Sequence, residues 1–153
     1  MTIRPATFPE DNDAVVAIWR EFISFSDTDL AYQNYEAELA ELPGKYAAPR
    51  GCVLLAEHQE QVVGCVAMKP VSDTICEMKR LYVRPSMQGL GLGRGLAEAL
   101  IANARIAGYR EVRLDVLAEF GRARVLYASM GFVAAQPVSY NPVPGSKFLG
   151  LAL

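Results

Sequence analysis

Four glycines fall within seven residues in the run Gln88-Gly89-Leu90-Gly91-Leu92-Gly93-Arg94-Gly95, directly ahead of a stretch with helical spacing. Glycine is costly to order, so a bare backbone at a helix start implies that something must approach it closely. Unhindered N–H groups there make a site for an anion, usually a phosphate. Two nucleotide-binding patterns fail on single residues. A Walker loop needs lysine followed by serine or threonine after its last glycine, where this chain has Arg94-Gly95-Leu96. A dinucleotide fingerprint would place its last glycine on Arg94 or Leu96. Asp115 lies at the right distance for a ribose contact but does not restore that pattern.

The groups able to move protons are few. His58 is the one histidine and falls in a predicted hairpin, which removes Ser-His-Asp and Cys-His catalysis and leaves no His/Cys cluster for a metal. Carboxylates and a phenol remain. Glu77 lies in an otherwise apolar strand, where a charge requires a partner or a function. Burial would raise its pKa toward a useful range; the structural alternative is a salt bridge with Lys79 or a neighbouring strand. Asp115 is the second carboxylate. Tyr127 sits on the inward stripe of a helix, where a buried phenol seeks a hydrogen-bond partner. The pairs Lys79-Arg80 and Arg122-Arg124 are local positive clusters that read first as solvated faces and second as anion contacts.

The elements that must hold these groups follow from periodicity. TIRPA reads as an edge strand, the setting that tolerates Pro5. Asp11 or Asn12 starts a helix with Val15, Ile18, Trp19, Phe22 and Ile23 on one face. A second helical stretch carries Ala31, Tyr35, Leu39 and Leu42 and stops at Pro43-Gly44. CVLLAE and QVVGCVAMK form a hairpin across His58-Gln59-Glu60, and ICEMKRLYV is a further strand closed by Pro85. After the glycine loop, Leu96, Ala99, Leu100 and Asn103 face inward along a helix ending at Gly108. EVRLDVL is a strand, and GRARVLYASMG is a helix with Ala123, Leu126, Tyr127 and Met130 inward. FVAA and KFLGLAL close the sheet. The order predicts a mixed α/β sheet in one domain, residues 1–153.

Composition narrows the partners. A net charge of −2 gives no broad field for nucleic acid or anionic membrane. MTIRPATFPEDND shows no basic segment leading into an apolar run, so no signal peptide is expected. The apolar run VVGCVAM falls far short of the ~20 residues of a membrane span. Cys52, Cys65 and Cys76 are odd in number and sit in apolar contexts, which fits small buried hydrophobes and a reduced, cytoplasmic setting.

Gln88-x-x-Gly91-x-Gly93 resembles the Q/R-x-x-G-x-G/A signature of the GNAT superfamily, the acyl-CoA-dependent N-acyltransferases. LYVRP before it resembles that family's fourth strand, and VLYASMGF its last helix with the tyrosine and the Gly-Phe exit. The likeness in element order extends over nearly the whole chain. It implies a sheet of about six to seven strands flanked by about four helices and splayed between the fourth and fifth strands. It implies N-acetyl transfer from acetyl-CoA to a primary amine of a small molecule or peptide. N–H groups of Gln88, Gly89, Leu90, Gly91, Leu92, Gly93 and Arg94 would bind the pyrophosphate, and the backbone of Leu81, Tyr82 and Val83 the pantetheine. Glu77 would be the general base and Tyr127 the general acid, with no metal. Phe120 stands where many relatives have a CoA-binding asparagine. A homodimer is left open. The alternative from another class is a non-catalytic acyl-CoA-binding module or sensor.

Overall fold

The computed structural model describes residues 1–153. Seven strands form one sheet: β1 (Thr2–Pro5), β2 (Cys52–His58), β3 (Gln61–Pro70), β4 (Ile75–Val83), β5 (Glu111–Val116), β6 (Val133–Ala134) and β7 (Lys147–Ala152). Their order is β1-β2-β3-β4-β5-β7-β6, antiparallel throughout except for β4 beside β5. Four helices flank it: α1 (Asn12–Phe25), α2 (Tyr35–Ala40), α3 (Leu92–Ile106) and α4 (Gly121–Ser129). This is the mixed α/β architecture that the order of apolar patterns predicts.

Alternation along the strands separates two cores. Leu54, Val66, Met68, Cys76, Met78 and Val112 pack with Leu96 and Leu100 of α3 on one face. Val53, Leu55, Cys65 and Ala67 pack with Val15, Ile18 and Trp19 of α1 on the other. Burying a side chain the size of Ile18 stabilises by about 1.5–3 kcal/mol, so this three-residue stripe is enough to dock α1.

Three stretches depart from the sequence pattern. The second helical stretch is broken: a 3-10 turn spans Ala31–Gln33, Asn34 turns left-handed at φ 55°, and α2 ends at Ala40. On α3 the buried stripe is Leu92, Leu96, Ala97, Leu100, Ile101 and Ala104. Ala99 and Asn103 lie on its flank, where the Asn103 amide donates to the Ala99 carbonyl at 3.0 Å and avoids burial without a partner. On α4 only Tyr127 is buried, and Ala123, Leu126 and Met130 are half-buried.

The feature that positions the site is the parting of β4 from β5. Their pairing covers Ile75–Glu111, Cys76–Val112 and Glu77–Arg113 and then stops, although β4 continues to Val83 and β5 to Val116. On the other side of β4 the register shifts opposite Cys65–Ala67, and Arg80 takes φ 57°. Such a bulge bends and twists its strand, which turns the far half of β4 away from β5.

Candidate functional site

The splay opens into a cleft of about 350 Å³, walled by Met78–Val83 of β4 and by Asp115, Val116 and Leu117 at the end of β5. Phe22 and Phe25 of α1 cover one side; Phe120, Arg122, Ala123 and Tyr127 cover the other. A shallower groove of about 180 Å³ continues from it along Gln88, Gly89, Gly91, Leu92 and Gly93. Leu81, Tyr82, Val83 and Gln88 line both, so cleft and groove form one channel.

Gly89 and Gly91 have φ 83° and 81°, a region that side-chain-bearing residues rarely adopt, and a Cβ on either would meet nothing within 4 Å. The backbone there is bare and open toward the groove. The first helical hydrogen bond of α3 runs from the Gly95 N–H to the Gly91 carbonyl at 3.0 Å. The N–H groups of Leu92, Gly93 and Arg94 therefore have no intrahelical acceptor, and the positive end of a 15-residue helix faces the groove. This is a cradle for a phosphate. An extended chain beside Leu81–Val83 has the β4 edge that β5 has left.

Of the residues expected to bind the anion, two lie outside the channel lining. Leu90 projects to solvent between the two left-handed glycines. Arg94 turns to α4, donating to Ser129 Oγ at 2.5 Å, with Glu98 at 3.8 Å. The cation that does line both parts of the channel is Arg122, which donates to Gln88 Oε1 at 3.2 Å. It is exposed at the start of α4, where the anion contact that the sequence leaves open for it has a groove to serve.

Tyr127 lines the cleft, is buried, and makes no side-chain hydrogen bond. Burial raises its pKa, and the negative charge of Asp115 adds to the effect, so the phenol is protonated at any working pH. Asp115 also lines the cleft, with one oxygen accepting from Asn141 Nδ2 at 2.6 Å. Glu119 is spent on Ser26 Oγ and the Asp27 N–H. The thiols are unsuited to nucleophilic work, since burial pushes Cys52 up to about 11 and Cys76 up to about 12.

Glu77 is placed differently from the expectation of a group facing substrate. It is buried at the head of the splay, accepting from Ser139 Oγ at 2.9 Å with Lys69 at 3.9 Å, and it is not among the cleft-lining residues. It belongs to a charged cluster beside the cleft, whose Lys79 and Arg80 are part of the cleft wall. Glu38 lies 2.7 Å from Arg80 and 3.5 Å from Lys69, and accepts from the Tyr46 hydroxyl at 3.0 Å. The Arg80 guanidinium stacks 4.6 Å over the Trp19 ring. Arg80 is thus interior and Lys79 half-buried along the cleft, in place of the solvated face that the sequence favours.

Burial opposes ionisation of Glu38, but the charges of Arg80, Lys69 and Lys79 outweigh it and hold the carboxyl below its usual range. A carboxyl depressed in the folded state stabilises above its unfolded value of about 4.3, and that contribution is lost as pH falls through the folded value. Glu38→Gln is expected to cost about 1–3 kcal/mol at pH 7 by leaving Arg80 unmatched. Thermal melts at pH 7 and pH 4 check this: the deficit should shrink at the lower pH, and an equal deficit at both would sink it.

A family model described as acetyltransferase (GNAT) domain matches residues 49–134, from ahead of β2 through β6. The chain belongs to the GNAT acetyltransferase family. An uncharacterized N-acetyltransferase of Schizosaccharomyces pombe is 36% identical to this GNAT chain, covering 100% of it and 95% of the relative. Among solved structures, an acetyltransferase from Streptococcus agalactiae superposes with a TM-score of 0.81 at 19% identity, covering 99% of this chain and 98% of that one. A Salmonella typhimurium acetyltransferase solved with its cofactor acetyl-CoA superposes at 0.71 with 23% identity, over 99% and 92%. Both structures share the overall fold of this GNAT chain. None of its helices is long and apolar enough to cross a membrane.

Proposed function

We propose that residues 1–153 are one domain that transfers an acetyl group from acetyl-CoA to a primary amine. The observation that carries this is the continuous channel from the glycine cradle to Tyr127 and Asp115. The acetyl-CoA seen with the Salmonella relative supports the same occupant here. The N–H groups of Leu92, Gly93 and Arg94 hold the pyrophosphate, with Gln88, Gly89, Leu90 and Gly91 forming the turn around it, and Arg122 adds a charge-assisted contact. The β4 backbone at Leu81, Tyr82 and Val83 aligns the pantetheine.

When bound, acetyl-CoA supplies the acetyl group as a thioester. The amine nitrogen forms a bond to the acetyl carbon, and the carbon–sulfur bond breaks. Tyr127 donates its proton to the departing sulfur, since it lines the cleft and carries a proton to give. Asp115 takes the proton that the amine must lose, because it lines the cleft and its charge reaches Tyr127. Glu77 serves as base only through an intervening water, an alternative favoured by its burial where the strands part.

Acetyl-CoA at about a hundred times its Kd should stabilise the fold by about 2.7 kcal/mol. Gly91→Val should abolish that shift, since a branched side chain at φ 81° is strained and fills the cradle. Each protein is compared with its own ligand-free melt, which separates loss of binding from loss of stability. A shift with NAD and none with CoA would remove the cofactor assignment.

A further inference from the structure

The charged cluster beside the cleft is unbalanced. Three cations, Lys69, Lys79 and Arg80, face two carboxylates, Glu38 and Glu77. Both carboxylates are engaged by Lys69, Arg80, Tyr46 and Ser139, which leaves Lys79 with no ion pair and no hydrogen bond of its own. Burial lowers its pKa, Glu77 and Glu38 oppose that only in part, and Arg80 and Lys69 push the same way as burial. A half-buried cation short of negative charge is costly unless an anion completes it. Lys79 and Arg80 both line the cleft, but the Arg80 guanidinium is held by Glu38 and the Tyr46 hydroxyl, so Lys79 is the cation left to meet an anion there.

Across the cleft stands the opposite charge. Glu77 and Arg113 are the last paired residues of β4 and β5, and strand alternation puts Lys79 and Asp115 next on the same face of each. The strands part at that point, so the two residues line the same cleft from opposite strands and form no ion pair. Phe22, Phe25 and Phe120 close the remaining wall, with Phe22 and Phe120 stacked 5.8 Å apart. The space thus offers a cation, an anion and an apolar surface.

We propose that the acceptor is a free amino acid with an apolar side chain, its carboxylate held by Lys79 and its amine turned toward Asp115 and Tyr127. This rests on the acetyl-transfer reading above and names the substrate class for the same site. The amine nitrogen takes the acetyl group from the thioester and loses one proton to Asp115; the sulfur leaves with one from Tyr127. The substrate carboxylate takes no part in bond making and supplies the charge that Lys79 lacks. Its ion pair with Lys79 fixes which end of the molecule enters.

The test uses matched acceptors with wild-type protein and acetyl-CoA: leucine, leucinamide and isoamylamine, and the corresponding phenylalanine series, followed by free-thiol release. The expected result is a higher kcat/KM for the free acids than for their amides or amines, carried by KM. Lys79→Met should lower that acid-to-amide ratio by about ten- to a hundredfold, the range for hydrogen bonds to charged groups, and Lys79→Arg should restore part of it. Equal use of acid and amide by the wild type, or an unchanged ratio in Lys79→Met, would overturn the assignment and leave acetyl transfer standing. Thiol release with none of the six would overturn the amino-acid assignment, and release with other amines of a wider library would leave acetyl transfer standing. The wild-type comparison decides the question even if a Lys79 variant fails to fold.

Discussion

Replacing Tyr127 with phenylalanine should lower turnover by about 10²–10⁴-fold, the usual contribution of a positioned proton donor. Acetyl-CoA should still bind, because the ring and its packing against Phe132 at 5.5 Å are kept. Stability should hardly change, since the hydroxyl has no partner whose bond would be left open. Raised pKa makes the phenol a donor throughout the neutral range, so the loss should not vary between pH 6 and pH 9. Steady-state rates with saturating acetyl-CoA and thermal shifts on the same preparations check both halves. A wild-type rate would relegate Tyr127 to the core.

Asp115→Asn should cost about 10²–10⁴-fold at neutral pH and less as pH rises. The sign follows from the substrate: an alkylamine with a pKa of about 10 is mostly protonated at pH 7, and a base is needed least when solvent has already taken the proton. Glu77→Gln separates the two carboxylates. If Glu77 only anchors the charged cluster, its loss lowers the melting temperature and changes the rate modestly at every pH. A pH-dependent loss in Glu77→Gln with none in Asp115→Asn would return the base to Glu77 and its water.

The parts of this site that were legible in the sequence are those set by neighbouring residues. Gly89 and Gly91 announce a left-handed turn, and the apolar spacing after them announces α3, so the anion cradle follows from a dozen residues. Tyr127 follows from one helix face. The acceptor end was not legible, because it depends on how strands diverge. The bulge at Arg80 breaks the alternation of β4 and buries Arg80 on the face that Lys79 already shares with Glu77, where a basic pair normally meets water. The same geometry holds Glu77 beside the cleft and leaves Asp115 lining it. Arg122 lines the groove while the Arg94 side chain turns to Ser129, because which arginine reaches a groove depends on the angle between α3 and α4, which no local pattern encodes.

The central claim is catalysis at this channel, and free-thiol release from acetyl-CoA by the wild-type protein, measured across an amine library with product mass alongside, tests it most directly. The account predicts thiol release above the amine-free rate, matched one for one by an N-acetylated product. Tight acetyl-CoA binding with no release above that rate for any amine would contradict it and make the chain an acyl-CoA-binding module.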